Sequence, residues 1–272
     1  MANLSAHPAN GRERALVERS HARRNQRWQP QTWRRYSFGM IRLEDLRRFY
    51  RVLDVLQERV GGARRLSECN GKLSWPRRGV YFFMEEGEDR IDSGAGRRIV
   101  RVGTHAISQG SRTKLWSRLS QHRGQISSGG GNHRGSIFRL IVGTALMARD
   151  DHELPTWGKG STASAAIRTS ETSLEREVSK VIGAMPFVWL AVDDDPGKDS
   201  LRGYVERNSI ALLSNYRKPG LDSASHTWLG HRCDRERVRD SGLWNSNHVD
   251  EQYDPRFLNR LENVVESMGA DT

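Results

Sequence analysis

Two strand-like runs separated by a turn-rich segment constrain the fold of this chain more than any other feature. The runs are GVYFFMEE, residues 79–86, and RRIVRVGTH, residues 97–105, with GEDRIDSGAG between them. Apolar, β-branched and aromatic runs bounded by Gly, Asp and Ser are typical of paired strands. The pattern therefore predicts a β-hairpin with a long loop.

Alternation along these strands predicts which side chains share a face of the hairpin, because successive side chains point to opposite faces. Arg101 and Gly103 are expected on one face, with Val100 and Val102 on the other. Tyr81 can then meet Arg101 on one surface of the sheet. On pattern alone, a half-buried strand aromatic is the favoured explanation of Tyr81.

A helix starting near Ser111 is predicted after the hairpin, within which LWSRLSQHRG covers residues 115–124. Arg118 and His122 are four residues apart, so they lie on one stripe of the helix beside an apolar stripe. A solvated basic face explains this pair, and so does a site that binds phosphate.

The remaining elements follow from apolar periodicity and capping residues. A helix is predicted to end at Gly61-Gly62, and another to begin at a capping box formed by Thr172 and Glu175. The other predicted elements are a helix over SIFRLIVGTALMA (136–148), a strand over PFVWLAV (186–192), a helix over about 199–215, and a last helix after Asp254-Pro255.

The charge of the chain indicates a polyanionic partner. Its formal net charge is +11 and its pI is about 10.2, carried mostly by arginine. Arginine binds phosphate through two parallel hydrogen bonds, which favours nucleic acid. Genomic base composition is the alternative explanation of the arginine content.

Membrane insertion and secretion are not expected. No apolar run approaches the roughly 20 residues that span a bilayer, and the first residues, MANLSAHPANGRERAL, lack the apolar segment of a signal peptide. The two cysteines, Cys69 and Cys233, form no disulfide or zinc pattern. The default location is therefore the reducing cytoplasm.

The order of these motifs resembles the GIY-YIG nuclease superfamily. GVY (79–81) is similar to the first signature triplet, and RVG (101–103) matches the second in its apolar residue and glycine. Arg118 follows on a helix, and Glu206 lies on a helix after the last predicted strand. RLSQHRG looks most like the type II restriction endonuclease branch, where a histidine follows the helix arginine by one turn. Arg101 departs from the pattern, since it stands where the second tyrosine would be.

This resemblance implies an α+β fold, with a small, mainly antiparallel sheet flanked by helices and extended by helices at both termini. Residues 1–72 are then a basic N-terminal helical extension. Residues 73–222 are the GIY-YIG-like nuclease core, with an insertion at about 124–185. Residues 223–272 are a C-terminal helical extension.

The resemblance also implies a metal-dependent endonuclease, with Mg²⁺ or Mn²⁺ held by Glu206. Tyr81 would take the proton of the attacking water and Arg118 would hold the phosphate. Arg101 would support Tyr81 with positive charge, and His122 would orient the water or relay the proton. Asn215 is the nearest candidate for the asparagine that the family carries downstream of its glutamate.

Other residues compete for parts of this chemistry. Glu175 and Glu177 compete with Glu206, although their helix precedes the third strand, whereas the family's glutamate follows it. NHRG (132–135) and NSNHV (245–249) each pair Asn with His, as a histidine-metal nuclease motif does. Neither has a second aligned set of ligands, so Asn245 and His248 are expected to order the loop after Trp244.

Double-stranded DNA is the expected partner, cut in bacterial restriction or defence, with a homodimer favoured because each chain carries one site. A non-catalytic DNA-binding protein on the same fold and a nuclease for RNA or branched DNA are the alternatives. The expected nucleic-acid-binding arginines are Arg23, Arg24, Arg27, Arg34, Arg35, Arg123 and Arg134.

Overall fold

The computed structural model describes residues 31–125 and 127–269, with the side chains of residues 31–38 left out. Among these residues the helices are α1 (Gln31–Arg59), α2 (Leu115–Arg123), α3 (Ile137–Arg149), α4 (Ala165–Ala184), α5 (Leu201–Leu213), α6 (Glu236–Ser241) and α7 (Phe257–Ser267). The strands are β1 (Arg64–Arg65), β2 (Gly79–Asp89), β3 (Arg97–Gly103) and β4 (Pro186–Ala191). Short 3₁₀ turns occupy Leu66–Glu68, His133–Gly135 and Leu229–Arg232.

The strands form one four-stranded sheet in the order β1-β4-β2-β3. Each neighbouring pair is antiparallel, so the predicted α+β class with a small antiparallel sheet and flanking helices is confirmed. The hairpin is β2 and β3, and β2 runs three residues further than predicted, to Asp89.

The register of the hairpin fixes the face on which the signature residues lie. Tyr81 pairs with Gly103 and Phe83 pairs with Arg101, so these four side-chain positions share one face. The register then shifts, because Met84 pairs with Ile99. Val100 is the extra residue of this bulge, and it packs in the same core cluster as Tyr81 and Phe83. The expectation that Val100 lies on the opposite face is therefore wrong.

Both faces of the sheet are covered by helices. On one face, apolar residues of α1, α5 and α7 pack against Val80, Phe82 and Val102. On the other face, residues of α2, α3 and α4 pack against Tyr81 and Phe83. The signature tyrosine therefore faces the helices that follow the hairpin in sequence.

Most predicted helices and strands are confirmed, and two of the predicted helix starts are wrong. α2 begins at Leu115 and not near Ser111. α4 begins at Ala165, seven residues before Thr172, because the Ser164 side chain accepts a hydrogen bond from the backbone N–H of Ile167 at 3.3 Å. Thr172 lies inside this helix, and its hydroxyl donates to Arg168 O.

Part of the predicted organisation is not tested. The basic segment before residue 31 lies outside the described residues, and the boundaries after residues 72 and 222 stay predictions. Within the described part of the chain, no helix combines the length and the apolar character that crossing a bilayer requires.

Arg42 forms hydrogen bonds with the C-terminal end of α5, the helix that carries Glu206. Its side chain is fully buried, and it donates hydrogen bonds to the carbonyl oxygens of Leu212, Ser214 and Pro219 at 2.9, 2.9 and 2.6 Å. The last carbonyls of a helix have no partner inside the helix. Arg42 therefore supplies the C-terminal hydrogen bonds that α5 lacks.

Replacing this arginine is expected to lower the free energy of unfolding. Arg42→Ala leaves several buried carbonyl oxygens without donors, which costs about 3 kcal/mol or more. Arg47→Ala is the matched control on the same helix, because Arg47 is 41% exposed and its partners are the exposed Glu44 and, at 3.4 Å, Asp92 O. The control is expected to change stability by less than about 0.5 kcal/mol. Urea denaturation of both variants measures the difference, and equal midpoints contradict the assigned role.

Candidate active site

One cavity of about 390 Å³ brings together four of the residues singled out in the sequence: Tyr81, Arg101, Arg118 and Glu206. They come from β2, β3, α2 and α5. Ile137, Ile141 and Ile210 form an apolar part of the wall. We refer to this space as the catalytic cavity. Residues far apart in sequence thus meet where the hairpin lies between α2 and α5.

Tyr81 is packed against the glycine of the second signature triplet. A Cβ atom at Gly103 would overlap the Tyr81 hydroxyl and ring. Gly79, the glycine of the first triplet, is similarly constrained, because a Cβ there would overlap Leu190 O of β4. Both signature glycines therefore mark close approaches, one to the tyrosine ring and one to the neighbouring strand.

Arg101 occupies the position of the second signature tyrosine and is buried beside Tyr81. Its guanidinium donates to Trp244 O and lies 4.6 Å from the centre of the Phe138 ring. Its buried Nε has no hydrogen-bond partner among the described residues. Burial lowers the pKa of Arg101, while the nearby Tyr81 and Glu206 oppose that change. The side chain is thus a positive group with one N–H left for a ligand or water.

Arg118 presents a guanidinium that no carboxylate neutralises. Its Nη1 donates to Gln121 Oε1 at 3.1 Å and to Gly135 O at 3.0 Å. None of the ion pairs among the described residues includes it. Because both partners are neutral acceptors, Arg118 keeps its full charge for an anion in the cavity.

Glu206 is the acidic side chain of the catalytic cavity. Thr104 N–H donates to its Oε1 at 3.1 Å, and no cation of the described residues lies within ion-pair distance. Burial raises the pKa of this carboxyl, whereas Arg101, His248 and the Thr104 N–H act in the opposite direction. A carboxylate in such surroundings is stabilised when a cation binds beside it.

His122 lies behind Tyr81 and does not line the catalytic cavity. Its Nε2 is 2.8 Å from the Tyr81 hydroxyl, and its Nδ1 is 2.7 Å from Ser136 Oγ. Burial lowers the pKa of His122 well below 6.5, and Arg118, Arg101 and Arg139 lower it further. The imidazole is therefore neutral near neutral pH.

Ser136 and Tyr81 are the hydrogen-bond partners of the two nitrogens of this neutral imidazole. Ser136 Oγ accepts a hydrogen bond from the backbone N–H of Arg139 at 3.3 Å, as the N-cap of α3. The only other partner that the described residues give the hydroxyl is His122 Nδ1. We infer that the hydroxyl proton points to Nδ1, which leaves the imidazole proton on Nε2. His122 then donates a hydrogen bond to the oxygen of Tyr81.

Comparison with known families agrees with this geometry. A family model described as "GIY-YIG domain" matches residues 40–271, most of the chain. The chain belongs to the GIY-YIG family. No curated protein and no solved structure gave a significant match. The predicted superfamily is thus confirmed, and membership indicates a nuclease.

The side chains of this GIY-YIG chain fit a hard divalent cation with mostly water ligands. Glu206 is a carboxylate without an ion pair, and the catalytic cavity has room for water. Mg²⁺ commonly binds through one or two carboxylates and keeps several waters. A site of the zinc type does not fit, because the described residues contain no cluster of three His, Cys, Asp or Glu side chains.

Asn215 does not reach the catalytic cavity of this GIY-YIG domain. Its Oδ1 accepts from Arg42 at 2.9 Å and its Nδ2 donates to Leu221 O at 3.0 Å, so the amide orders the chain after α5. Asn245 lines the cavity instead. Its amide pairs with both backbone groups of Val102, at 3.1 and 2.9 Å, and so continues the sheet beyond β3.

The loop that begins at Asn245 also supplies Ser246, Asn247 and His248 to the cavity wall. His248 has φ = 64°, an uncommon conformation for a residue with a side chain, and its Nδ1 is 2.7 Å from Glu251 Oε1. Asn-rich sequence directly after a buried tryptophan was the available signal for this loop. Nothing in the sequence alone placed it beside Arg101.

The predicted nucleic-acid-binding arginines have different surroundings. Arg23, Arg24 and Arg27 lie outside the described residues, and Arg34 and Arg35 lie on α1 with side chains that are not described.

The side chains of the other two predicted arginines, Arg123 and Arg134, are described, and both form hydrogen bonds with other residues of the protein. Arg123 donates to Cys69 O at 2.5 Å and covers the Trp116 ring. Arg134 forms a two-pronged ion pair with Glu171, at 2.6 and 2.8 Å. That pair is almost fully buried, so the Arg134 guanidinium does not face solvent.

The competing glutamates, Glu175 and Glu177, and the NHRG segment lie outside the catalytic cavity. Glu175 is buried against Arg139 and His133, with Oε1 3.0 Å from His133 Nδ1. His133 stacks on Trp157 and accepts a hydrogen bond from Gly158 N–H. Glu177 pairs with Lys180 on the exposed face of α4. None of these side chains lines the catalytic cavity.

A methyl group at Gly103 is expected to displace the Tyr81 ring. Gly103→Ala overpacks this contact, which costs about 1–3 kcal/mol of unfolding free energy. Gly197→Ala is the control, because a Cβ at Gly197 meets no atom within 4 Å. Thermal unfolding of both variants measures the effect. A Gly103→Ala variant as stable as Gly197→Ala contradicts the close packing described here.

The proton position on His122 is directly measurable. Nitrogen-15 NMR of the imidazoles is expected to show His122 neutral and protonated on Nε2 between about pH 8 and about pH 5.5. Ser136→Ala removes the donor to Nδ1 and is expected to shift the population toward the Nδ1–H form. Ser136→Thr keeps the hydroxyl and serves as the control. A wild-type imidazole that is protonated on Nδ1, or that titrates near pH 6.5, contradicts the assignment.

Proposed function

We propose that this chain is a divalent-metal-dependent endonuclease that hydrolyses phosphodiester bonds in double-stranded DNA. The observation that carries the proposal is the catalytic cavity, in which Tyr81, Arg101, Arg118 and Glu206 meet on a GIY-YIG fold. The net charge of +11 supports a polyanionic substrate. Each cavity residue then has a separate task.

Glu206 holds the metal ion. A bound Mg²⁺ or Mn²⁺ supplies positive charge that stabilises the scissile phosphate and the leaving oxygen. Glu206 is suited to this task because it is partly buried and unpaired by arginine, so that a cation compensates its desolvation. The Thr104 N–H holds one carboxylate oxygen in place and leaves the other without a hydrogen-bond donor among the described residues.

Arg118 and Arg101 bind the phosphate from the protein side. Arg118 provides a guanidinium whose partners are neutral, and Arg101 provides a buried charge with a free Nε. Negative charge develops on the phosphoryl oxygens during displacement, and preorganised donors stabilise it without reorganising. Arg101 thus contributes a fixed cation where the family pattern has a second tyrosine.

Tyr81 takes the proton of the attacking water. It does so as the phenolate, which accepts a hydrogen bond from His122 Nε2–H and lies beside Arg101. A phenolate is stabilised by a nearby cation and by a hydrogen-bond donor, and Arg101 and His122 supply them here. His122 acts here as a donor that holds the oxygen, because burial and three arginines oppose its own protonation.

Cleavage at a fixed sequence, as in restriction, is the finer part of the proposal. It is supported by the one-turn spacing of Arg118 and His122 that resembles the type II branch. Each chain carries one catalytic cavity, so the proposal includes two chains acting together when both strands are cut. Sequencing the ends of cleaved DNA tests the first point, and sedimentation of the protein on DNA tests the second.

Loss of the metal-binding carboxylate is expected to abolish cleavage and spare binding. Glu206→Gln keeps the shape of the side chain and removes its charge, so cleavage is expected to fall at least about a hundredfold. Glu177→Gln is the control, since Glu177 is a carboxylate outside the cavity. Cleavage of plasmid, branched DNA and RNA with Mg²⁺, Mn²⁺ or EDTA is measured alongside DNA binding.

Three results contradict this prediction. Cleavage that persists in EDTA excludes the metal, and Glu206→Gln cleavage at the wild-type rate excludes the assigned carboxylate. DNA that is bound but not cut by the wild type, with every metal and substrate, identifies a non-catalytic DNA-binding protein on this fold. Preferential cutting of RNA or junctions instead changes the substrate and leaves the mechanism in place.

A further inference from the structure

A second cavity lies beside the catalytic cavity and has a volume of about 770 Å³. It is bounded by the end of α2, the glycine-rich loop after it, and the first half of α4. Gln121, Asn132, Gly135 and Arg168 belong to its wall. We call it the flanking cavity. Its wall consists of glycines and of residues with polar or charged side chains, which is unlike a pocket for an apolar ligand.

Arg118 separates the two cavities. Its guanidinium lines the catalytic cavity, while both of its hydrogen-bond acceptors, Gln121 Oε1 and Gly135 O, belong to residues that line the flanking cavity. A polymer whose phosphate is held by Arg118 can therefore extend into the flanking cavity. A small substrate would have no use for this connection.

The glycine-rich wall is held in place by hydrogen bonds. Gln125 N–H donates to Gly130 O at 2.6 Å, and Arg176 Nε donates from α4 to Ser128 O at 2.8 Å. Gly124 has φ = 82°, and a Cβ there would overlap Gly130 O. The described part of the loop is thus a formed wall, and glycine is required at the point where it turns.

Three side chains of this wall have hydrogen-bond donors without a partner among the described residues. Gln121 uses Oε1 for Arg118, and Asn132 uses Oδ1 for the backbone N–H of Arg134 at 3.1 Å, which leaves both amide NH₂ groups. Arg168 donates through Nε to Ala163 O at 3.1 Å and forms no ion pair with the described residues. The acidic residue of the wall, Glu175, is already paired with Arg139.

We propose that the flanking cavity binds the nucleotides next to the scissile phosphate, with Arg168 on a phosphate oxygen and Gln121 and Asn132 on acceptor atoms of the bases. Phosphate contacts fix position, and base-edge contacts carry sequence preference. The proposal rests on the proposed function, since it assumes a DNA strand held at Arg118. Gln121 also connects the two cavities, because one amide group contacts both the base and Arg118.

The test measures DNA binding in EDTA and cleavage separately. Arg168→Ala removes one phosphate contact. The negative slope of log K against log salt concentration is therefore expected to become shallower by about 0.9. Lys180→Ala is the matched control: it removes one positive charge from the exposed face of the same helix, about 18 Å further along. The control is expected to keep the wild-type slope.

The second variant tests base reading. Wild type and Gln121→Ala cleave a library with randomised positions around the cut, and the ends are sequenced. Wild type and Lys180→Ala are expected to prefer the same nucleotide at one position near the cut. Gln121→Ala is expected to lose this preference.

Two results overturn the proposal: an Arg168→Ala salt slope equal to that of Lys180→Ala, or unchanged preferences in Gln121→Ala. Wild-type protein that binds DNA without cutting it contradicts the proposed function alone, because the salt slope still tests the cavity. Wild-type protein that binds no DNA overturns both.

Discussion

The pairing of Tyr81 with Gly103 across β2 and β3 is the contact on which the rest of the site depends. It sets the tyrosine ring on the backbone of the neighbouring strand, where a side chain larger than hydrogen would overlap it. Two positions back along β3, the same register places Arg101 on the same face. Packing of α2 against this face then brings His122 to the tyrosine hydroxyl, at 2.8 Å. One hairpin register therefore positions the proposed base, its donor and its cation.

Charge balance explains why these groups stand together. Arg101 and Arg118 bring two positive charges to a cavity whose carboxylate, Glu206, forms no ion pair with either. Unpaired charges of opposite sign in a partly buried space cost free energy unless ligands complete them. A bound phosphate would balance the positive charge of the arginines, and a hydrated cation would balance the negative charge of the carboxylate. The same residues would be a poor choice for packing alone, which is why the arrangement favours a phosphodiester substrate.

Short-range patterns predicted the fold and much of the site, and long-range contacts accounted for the failures. The hairpin, the helix that carries Arg118 and the final strand follow from local periodicity, and the order of the motifs placed Glu206. The bulge at Val100 depends on pairing between strands, which alternation along one strand does not reveal. Asn215 attracted attention because it is near Glu206 in sequence, whereas Asn245 reaches the site by pairing its amide with Val102. The sequence shows Arg134 as a basic residue, but in the structure its guanidinium forms a buried ion pair with Glu171.

Single-turnover cleavage by Tyr81→Phe tests the central claim most directly, because this change removes one oxygen and leaves the packing of the ring. Tyr216→Phe, which removes another hydroxyl from a buried tyrosine, is the control. With Mg²⁺ and saturating protein, we expect Tyr81→Phe to cleave DNA at least about a hundredfold more slowly than wild type while binding it equally well. A Tyr81→Phe variant that cleaves at the rate of Tyr216→Phe would contradict the assignment of Tyr81 as the base.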